Sequence, residues 1–414
     1  MVENKHNRIA FLTLGCKLNY AETSTYERGF KAAGWEVVPW SSEADIYLVN
    51  TCSVTATSDA KSRNLVRKVH RVNPDARIIV TGCSAELRRA ELEGIEGVSR
   101  VFGCNEKQLV VPETLGLEIP DGKIFAAYST GERTRSFLKV QDGCDNYCAY
   151  CTVPFARGAS RNISISECVS NAVKIASEGI KEIVLTGVNT GDFGKTTGES
   201  FLDLLKALNG VEGIERYRIS SIEPNLLTDG IIDWIASGTK FQPHFHIPLQ
   251  TGSDELLARM GRHYDTEFFA RKIDGIRAAM EHPGSPKVFI GIDVMVGLPG
   301  ESEELFEQTY QFLEKRVRPS FIHVFPYSRR PGTKAASMPG QVSEQTKKQR
   351  VERLEELCGR LHSDFVRSNG GVHEKVLFES TDRHGRMEGY TGNYIRVERD
   401  YDPALCGKIV EVTL

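Results

Sequence analysis

Cys144, Cys148 and Cys151 form a C-x3-C-x2-C run within GCDNYCAYC, close enough along the chain for three thiolates to converge on one metal centre. Iron–sulfur clusters are held by cysteine thiolates, ordinarily four of them. The next cysteine, Cys168, falls inside a helical pattern rather than in the run. Three ligands on a four-iron cluster leave one iron open to a small chelating ligand, as an open position does on catalytic zinc. The competing reading is structural zinc, which usually takes four ligands in pairs; this run has no second pair and no local histidine.

A second set is spread further apart. Cys16, Cys52 and Cys83 each close an apolar run, in FLTLGC, YLVNTC and IVTGC. The separations of 36 and 31 residues are each about one β/α unit. In a parallel sheet, residues just past successive strands gather at the carboxyl edge, where such sheets bind ligands. The set therefore reads as a second cluster with three protein ligands, against the alternative of three buried small hydrophobes. Cys104, Cys168, Cys358 and Cys406 share no such phase and read as ordinary packing residues.

The elements that must position these cysteines alternate. Strand patterns at Arg8–Leu14, Asp45–Val49 and Arg77–Val80 are separated by helical stretches at Ala21–Ala33 and Ser58–Arg71. That is a parallel α/β domain, residues 6–118. Residues 119–134 are polar and read as a linker, a hinge-like tether. From 135 to 368 the alternation restarts with six strand candidates: Phe137–Val140, Glu182–Leu185, Tyr217–Ser220, His244–Pro248, Val288–Val296 and Phe321–Phe325. Helical patterns at Ser164–Glu178 and Glu301–Lys315 lie between them, and a long charged helix, Ser343–Arg367, follows. Six units predict an open partial (β/α)6 barrel, since a closed barrel has eight. Residues 370–414 carry short alternating runs, Lys375–Glu379, Asn393–Val397 and Lys408–Val412, and read as a small all-β module.

Composition narrows the function. The chain has 414 residues, room for two or three domains, and 40% apolar against 26% charged residues marks it as globular. The 52 basic and 55 acidic residues give a net charge of −3, so a nucleic-acid surface must be local. No apolar run reaches the roughly 18 residues of a membrane span. The opening MVENKHNRIAFLTLGC lacks the pattern of a secretory signal, which makes a cytoplasmic location the expectation. In that compartment disulfides are rare, and cysteines are better read as metal or catalytic groups.

The strand ends of the predicted barrel offer TGVNTG, SSIEP, PLQTG, GLPGE and PYSRRPG. The C-x3-C-x2-C run resembles the signature of the radical S-adenosylmethionine enzymes. The phrases RISSIEP, HIPLQTGSDELLARMGRHY, VMVGLPGES and YSRRPGT are similar to their methylthiotransferase branch. LGCKLNYAETS and NTCSVTATSDAKSRN look most like the enzymes of that branch acting on threonylcarbamoyladenosine in tRNA. The resemblance implies two 4Fe-4S clusters, one on Cys144, Cys148 and Cys151 binding S-adenosylmethionine, the other on Cys16, Cys52 and Cys83 carrying the sulfur to be donated. It implies a 5′-deoxyadenosyl radical that takes hydrogen from C2 of the adenine before the methylthio group is inserted. No side-chain acid or base is implied as catalytic; radical chemistry belongs to the cofactor. Cofactor contacts are implied at Tyr150, Gly187, Asn189, Glu223 and Gln250. A low-potential donor such as flavodoxin or ferredoxin is the implied electron source.

The last module resembles a TRAM domain, a small β-barrel that contacts tRNA in this family, in GYTGNYIRV at Gly389–Val397. From Arg367 onward, however, there are seven Lys/Arg and eight Asp/Glu, not the basic patch that phosphate binding predicts. Positive charge is denser at Lys61–Arg71, where Arg63, Arg67 and Arg71 share a helical face, and around Arg329 and Arg330. These are the candidates for gripping the anticodon stem-loop. Two alternatives stand beside this reading: the same chemistry on isopentenyladenosine tRNA or on a ribosomal-protein aspartate, and a non-catalytic metal-containing RNA-binding protein.

Overall fold

In the computed structural model, which describes residues 7–119, 125–131 and 134–414, the first alternating runs become parallel strands. They are β1 (Arg8–Thr13), β2 (Glu36–Val38), β3 (Ile46–Thr51), β4 (Arg77–Gly82) and β5 (Val98–Phe102), in the order β2-β1-β3-β4-β5. The central β3 is buried along its whole length, and its pleat feeds two cores. Tyr47 and Val49 meet Val66 and Val69 of the helix Ala56–Val72. Ile46 and Leu48 meet Tyr26 and Phe30 of the helix Lys17–Ala32 on the opposite face. The sequence reading did not include β2 and β5. Both are edge strands, one of them three residues long, and neither carries a sustained apolar pattern. Strand order reverses between β1 and β3, the position at which doubly wound sheets bind ligands.

The central region holds β6 (Arg135–Lys139), the short pair β7 (Gln141–Asp142) and β8 (Arg161–Asn162), then β9 (Glu182–Thr186), β10 (Arg216–Ile219), β11 (His244–His246), β12 (Phe289–Val296) and β13 (Phe321–Pro326). The sheets β6-β9-β10 and β11-β12-β13 are parallel and are joined by the bridges Tyr217–Phe241 and Ser221–His246. This is the expected six-unit open barrel. The antiparallel β7–β8 pair sets Asp142 against Arg161 and so pins both ends of the segment that carries Cys144, Cys148 and Cys151. The helix expected over Glu301–Lys315 is α-helical only at Glu303–Gln311 and widens to a π-helical stretch at Phe312–Val317.

Ser343 caps the helix Glu344–Arg367 by accepting from the Thr346 amide at 3.1 Å, and the helix sets Leu354, Leu357, Cys358 and Leu361 into the barrel core. Cys358 Sγ accepts from the Ile322 amide at 3.2 Å, and Cys168 is fully buried in the same core. Both therefore do packing work, as their lack of phase suggested. No helix among the described residues is long and apolar enough to cross a membrane.

The last module is an antiparallel sheet of β14 (His373–Phe378), β15 (Arg386–Tyr390), β16 (Arg396–Asp400) and β17 (Ile409–Thr413), in the order β16-β15-β14-β17. The sequence reading missed β15, and of the run at Asn393–Val397 only Arg396 and Val397 are strand, the start of β16. Thr391–Ile395 is instead a turn, closed by the Thr391 amide donating to the Ile395 carbonyl at 3.0 Å. The module is docked on the barrel by buried arginines. Arg216 reaches the Tyr390 carbonyl at 3.0 Å, and Arg218 reaches the Thr391 and Gly392 carbonyls at 2.8 and 2.7 Å.

The expected tether needs correction. Residues 120–124, 132 and 133 of the 119–134 segment, and residue 6 at the start of the first domain, lie outside the described residues. Within 125–131 the chain is packed. Phe125 stacks on Tyr26 at 5.1 Å, Arg28 lies over the Tyr128 ring at 3.8 Å, and Ser129 and Ala127 exchange backbone hydrogen bonds with Phe137 and Lys139 at 2.9 Å. This part joins the two domains as a packed strip, because its aromatic residues have core partners on both sides.

Replacing Cys168 with Ala should leave the iron content of reconstituted protein unchanged while lowering unfolding stability by about 1 kcal/mol. Iron analysis with denaturant unfolding checks both.

Candidate active site

Three glycines shape the cysteine sets. Gly15 and Gly82 both have φ near +100°, and Gly143 has φ +74°; each directly precedes a cysteine. A Cβ on Gly15 would stand 2.9 Å from Cys52 Sγ, and one on Gly82 would stand 2.4 Å from the Thr51 carbonyl. Only glycine lets β1 and β4 end this close to the end of β3. Asn19 completes the junction, donating to the Leu14 carbonyl at 2.8 Å and the Thr51 carbonyl at 2.9 Å. Cys16, Cys52 and Cys83 therefore meet at one sheet edge, with Cys52 and Cys83 buried and Cys16 exposed. On the barrel side, a Cβ on Gly143 would stand 2.0 Å from the Ala159 carbonyl, which folds the Cys144–Cys151 segment back on itself.

The donor sets fit clusters better than single ions. A tetrahedral zinc with Zn–S near 2.3 Å holds its sulfurs roughly 3.8 Å apart. Among the described residues, no trio that includes a cysteine brings its ligand atoms within 4.8 Å of one another. Yet within each set the sulfurs are close enough to act on one another electrostatically. Three open thiols around a larger space are what a four-iron cluster takes up. Burial pushes Cys52 and Cys144 up to about 11 and Cys151 up to about 12. Cys83 goes the other way, to about 6, because Cys104 hydrogen-bonds to it and Arg157 and Lys107 stand beside it. Cys104, which showed no phase in the sequence, thus touches a member of the first set.

One short helix separates the two sets. Val153–Arg157 is about 7.5 Å long at 1.5 Å per residue. At its start the Val153 amide donates to Cys151 Sγ at 3.4 Å; at its end Arg157 Nε donates to Cys83 Sγ at 3.3 Å. Arg157 also binds Asn19 at 2.6 Å, Asp142 at 2.8 Å and Glu22 at 3.3 Å. Glu22 in turn holds Lys107 at 2.7 Å and Lys139 at 2.9 Å. Burial alone would raise the Glu22 carboxyl, but Lys107, Lys139 and Arg157 outweigh it and hold it at about 2. Asn19 and Glu22 lie within the LGCKLNYAETS phrase, but the sequence did not mark the network itself, because its members are separated along the chain.

The residues expected around the cofactor are linked to the cysteine run. Arg262 Nη1 donates to Cys148 Sγ at 3.1 Å and pairs with Glu223. The Glu223 amide donates to Asn189 Oδ1 at 3.4 Å, and the Asn189 amide donates to Gln141 Oε1 at 3.0 Å. Gly187 packs so closely that a Cβ would stand 2.9 Å from the same Gln141 oxygen. Gln250 holds a left-handed backbone, φ +74°, between the Asp293 carbonyl and the Met295 amide. Non-glycine residues in that region cluster at functional sites. Tyr150 packs against Ala149, Leu256, Met260, Leu298 and Tyr327. Arg262 and Gln141 were missed in sequence; the first lies inside the quoted GRHY phrase, where its charge was the available signal.

The RNA candidates divide. Arg330 is buried and paired with Asp59, so it is a domain-joining residue and not a phosphate contact. Arg63 is half-buried beside Glu91 at 3.7 Å. Helix packing explains both: the 56–72 helix turns Asp59, Ser62 and Val66 inward and draws neighbouring charges into pairs. Arg67, Arg71 and Arg329 are exposed.

A cavity of about 690 Å³ opens between the three domains. Cys16, Lys17 and Tyr20 line it from the first domain, the inner strand faces from the barrel, and Tyr390, Tyr394 and Arg396 from the last module. His246, Asp293 and His323 converge on its barrel wall, with His246 Nε2 2.8 Å from Asp293.

Residues 8–103 match the family described as Uncharacterized protein family UPF0004, and residues 138–313 match the Radical SAM superfamily. The chain is 38% identical to a threonylcarbamoyladenosine tRNA methylthiotransferase of Bacillus subtilis (strain 168), over 98% of this chain and 93% of that protein. It is 31% identical to a tRNA-2-methylthio-N(6)-dimethylallyladenosine synthase of Geobacter metallireducens, over 97% of this chain and 94% of that one. The structure of the radical S-adenosylmethionine methyltransferase TsrM from Kitasatospora setae shares the fold, with a TM-score of 0.57 at 14% identity over 80% of this chain and 77% of that chain. The chain belongs to the radical S-adenosylmethionine methylthiotransferase family, whose chemistry uses 4Fe-4S clusters and S-adenosylmethionine.

Gly15→Ala should lower iron and sulfide content toward that of a chain loaded only at Cys144, Cys148 and Cys151, because the added methyl stands only 2.9 Å from Cys52 Sγ and pushes it aside. Iron and sulfide analysis after anaerobic reconstitution reads it. Glu22→Gln leaves three buried cations short of a carboxylate and should cost about 3–5 kcal/mol of stability. Because the Glu22 carboxyl is depressed, its contribution is complete above about pH 4.5 and fades as pH falls toward 2. Acid unfolding of the variant should therefore depend less on pH over that window, as followed by circular dichroism.

Proposed function

We propose that this enzyme inserts a methylthio group at C2 of the adenine of N6-threonylcarbamoyladenosine, next to the anticodon in tRNA. The observation that carries the reading is the shared cavity: Cys16, the exposed member of the first set, opens onto the same space as the inner strands of the barrel. A substrate base placed there lies against both halves of the machinery. When bound, two clusters and S-adenosylmethionine supply a 5′-deoxyadenosyl radical and a transferable sulfur. The protein's own residues hold and orient. Cys144, Cys148 and Cys151 take one cluster, and Cys16, Cys52 and Cys83 the other. Arg262 fixes Cys148 and Glu223 together, so that Glu223 and Asn189 form a connected strand-end pair toward the cofactor, with Gly187, Gln250 and Tyr150 as the further contacts.

The relatives' names supply the substrate class, tRNA adenosine, and the greater identity lies with the threonylcarbamoyl enzyme rather than the dimethylallyl one. The exposed Arg67, Arg71 and Arg329 are suited to phosphate contacts outside the cavity, which position RNA without reading its sequence. A low-potential flavodoxin or ferredoxin serves as electron donor, and the protein works in the cytoplasm.

Anaerobically reconstituted protein with S-adenosylmethionine, a reductant and tRNA should yield the methylthiolated nucleoside by mass spectrometry. Cys16→Ala, Cys52→Ala and Cys83→Ala combined should abolish that product while S-adenosylmethionine cleavage persists. Methylthiolation by the triple variant would sink the division of roles, and product only on isopentenyladenosine tRNA would sink the substrate.

A further inference from the structure

The cavity between the domains has a charge pattern that the reaction itself does not need. Radical attack at C2 of an adenine requires position and shielding, not cations. Yet Lys17 lines this space, and it makes no hydrogen bond or ion pair among the described residues. Its strongest charged neighbours are Arg218 and Arg135, both of like sign, with the Asp293 carboxylate a weaker opposing charge. Those two guanidinium groups, with Arg216, share the buried carboxylate of Glu182, and Arg135 also pairs with Glu379 at 3.1 Å. Arg135 Nη2 and His244 Nδ1 are buried on the same wall with no hydrogen-bond partner among the described residues. An ammonium with no direct partner, set beside two arginines, is placed to take up a further anion.

The walls add the rest of a recognition site. Tyr390, Tyr394, His244 and Phe289 form one aromatic cluster with centroids 4.9 to 5.9 Å apart, His244 stacked on Phe289 and the other pairs tilted or edge-on, giving aromatic faces suited to a planar base. Nucleobase, aromatic wall and cations thus occupy one space. Of the two adenosine substituents named for the relatives, dimethylallyl is a hydrocarbon. Threonylcarbamoyl ends in a carboxylate and a hydroxyl.

We propose that Lys17, supported by Arg135 and Arg218, binds the carboxylate of the substrate's N6 substituent and is the residue that sets specificity for an acidic substituent over an apolar one. The inference rests on the tRNA adenosine reading above. It makes Lys17 a substrate-binding residue, one position after Cys16, so that recognition of the substituent and exposure of the first cysteine set share one helix N-terminus. A charge-assisted hydrogen bond in a partly desolvated pocket is worth enough to separate substrates by about 10- to 100-fold.

The test compares two anticodon stem-loop RNAs, one carrying threonylcarbamoyladenosine and one carrying its uncharged primary amide. With reconstituted wild-type enzyme, kcat/KM should be about 10- to 100-fold lower for the amide. Lys17→Gln should lose most activity on the acid, keep its activity on the amide, and so lose the preference; Lys17→Arg should restore much of it. Iron content of each variant reports whether Cys16 still serves its set. Equal use of both RNAs by the wild type overturns the inference, as does an undiminished preference in Lys17→Gln. So does an equal fall on both RNAs, which is what a lysine merely balancing charge at Cys16 would produce. If no RNA is methylthiolated at all, the functional reading fails separately. Filter binding of the same two RNAs then decides the inference: tighter binding of the acid that Lys17→Gln removes supports it, and equal binding refutes it.

Discussion

Arg157 is the point on which the architecture turns. Its guanidinium sits fully inside the protein and touches Glu22 and Asn19 of the first domain, Asp142 of the barrel and the sulfur of Cys83. Together with Lys107 and Lys139 it gives three buried cations against the two carboxylates Glu22 and Asp142. Three positive and two negative charges leave one positive charge over. Cys83, whose thiol Cys104, Arg157 and Lys107 hold below the usual range, lies against that excess. A buried ionic network adds little net stability over an apolar core, but it penalises any arrangement in which a member goes unpaired. Here that penalty falls on sliding or rotating one domain against the other. The network therefore works as a registration device, fixing the first cysteine set relative to the helix that begins at the second.

Backbone geometry does locally what the ions do across the interface. A cysteine whose sulfur must point off a sheet edge toward two others needs the preceding residue out of the way. Gly15, Gly82 and Gly143 meet that need with left-handed φ values where a Cβ would strike sulfur or carbonyl oxygen. The sheet order puts the three strand ends side by side, and the glycines bring them close. Either alone would leave three thiols in a row and not around a common space.

Much of this was legible in the sequence because the signals were periodic. Apolar runs spaced by helices gave the first domain's parallel sheet and the six barrel strands, and the recurrence of cysteine at the strand ends gave the first set. What was not legible was what periodicity does not encode. The edge strands Glu36–Val38 and Val98–Phe102 are short, and β15 sits between glycines and charges. Arg330 read as a surface cation because Arg-Arg-Pro-Gly looks like an exposed loop; only the tertiary contact with Asp59 shows it to be a joint. Arg157, Glu22 and Lys107 are ordinary charged residues in sequence, brought together from 135 positions apart. Long-range charge networks leave no local mark.

The open barrel explains why a separate first domain is needed at all. Six parallel strands do not close, and an unclosed barrel interior meets water along one side. Radical chemistry needs that side shielded, yet a nucleobase on an RNA loop must still enter. In this chain the gap is flanked by Lys17–Ala32 and its preceding loop from one domain and by the Thr391–Ile395 turn from another, with Arg216 and Arg218 fastening the latter. The wall so formed is aromatic where a base would stack and cationic where its substituent would reach. The same packing that excludes solvent thus builds the cavity wall, and the domain that contributes the first cysteine set also contributes Lys17, the residue after Cys16.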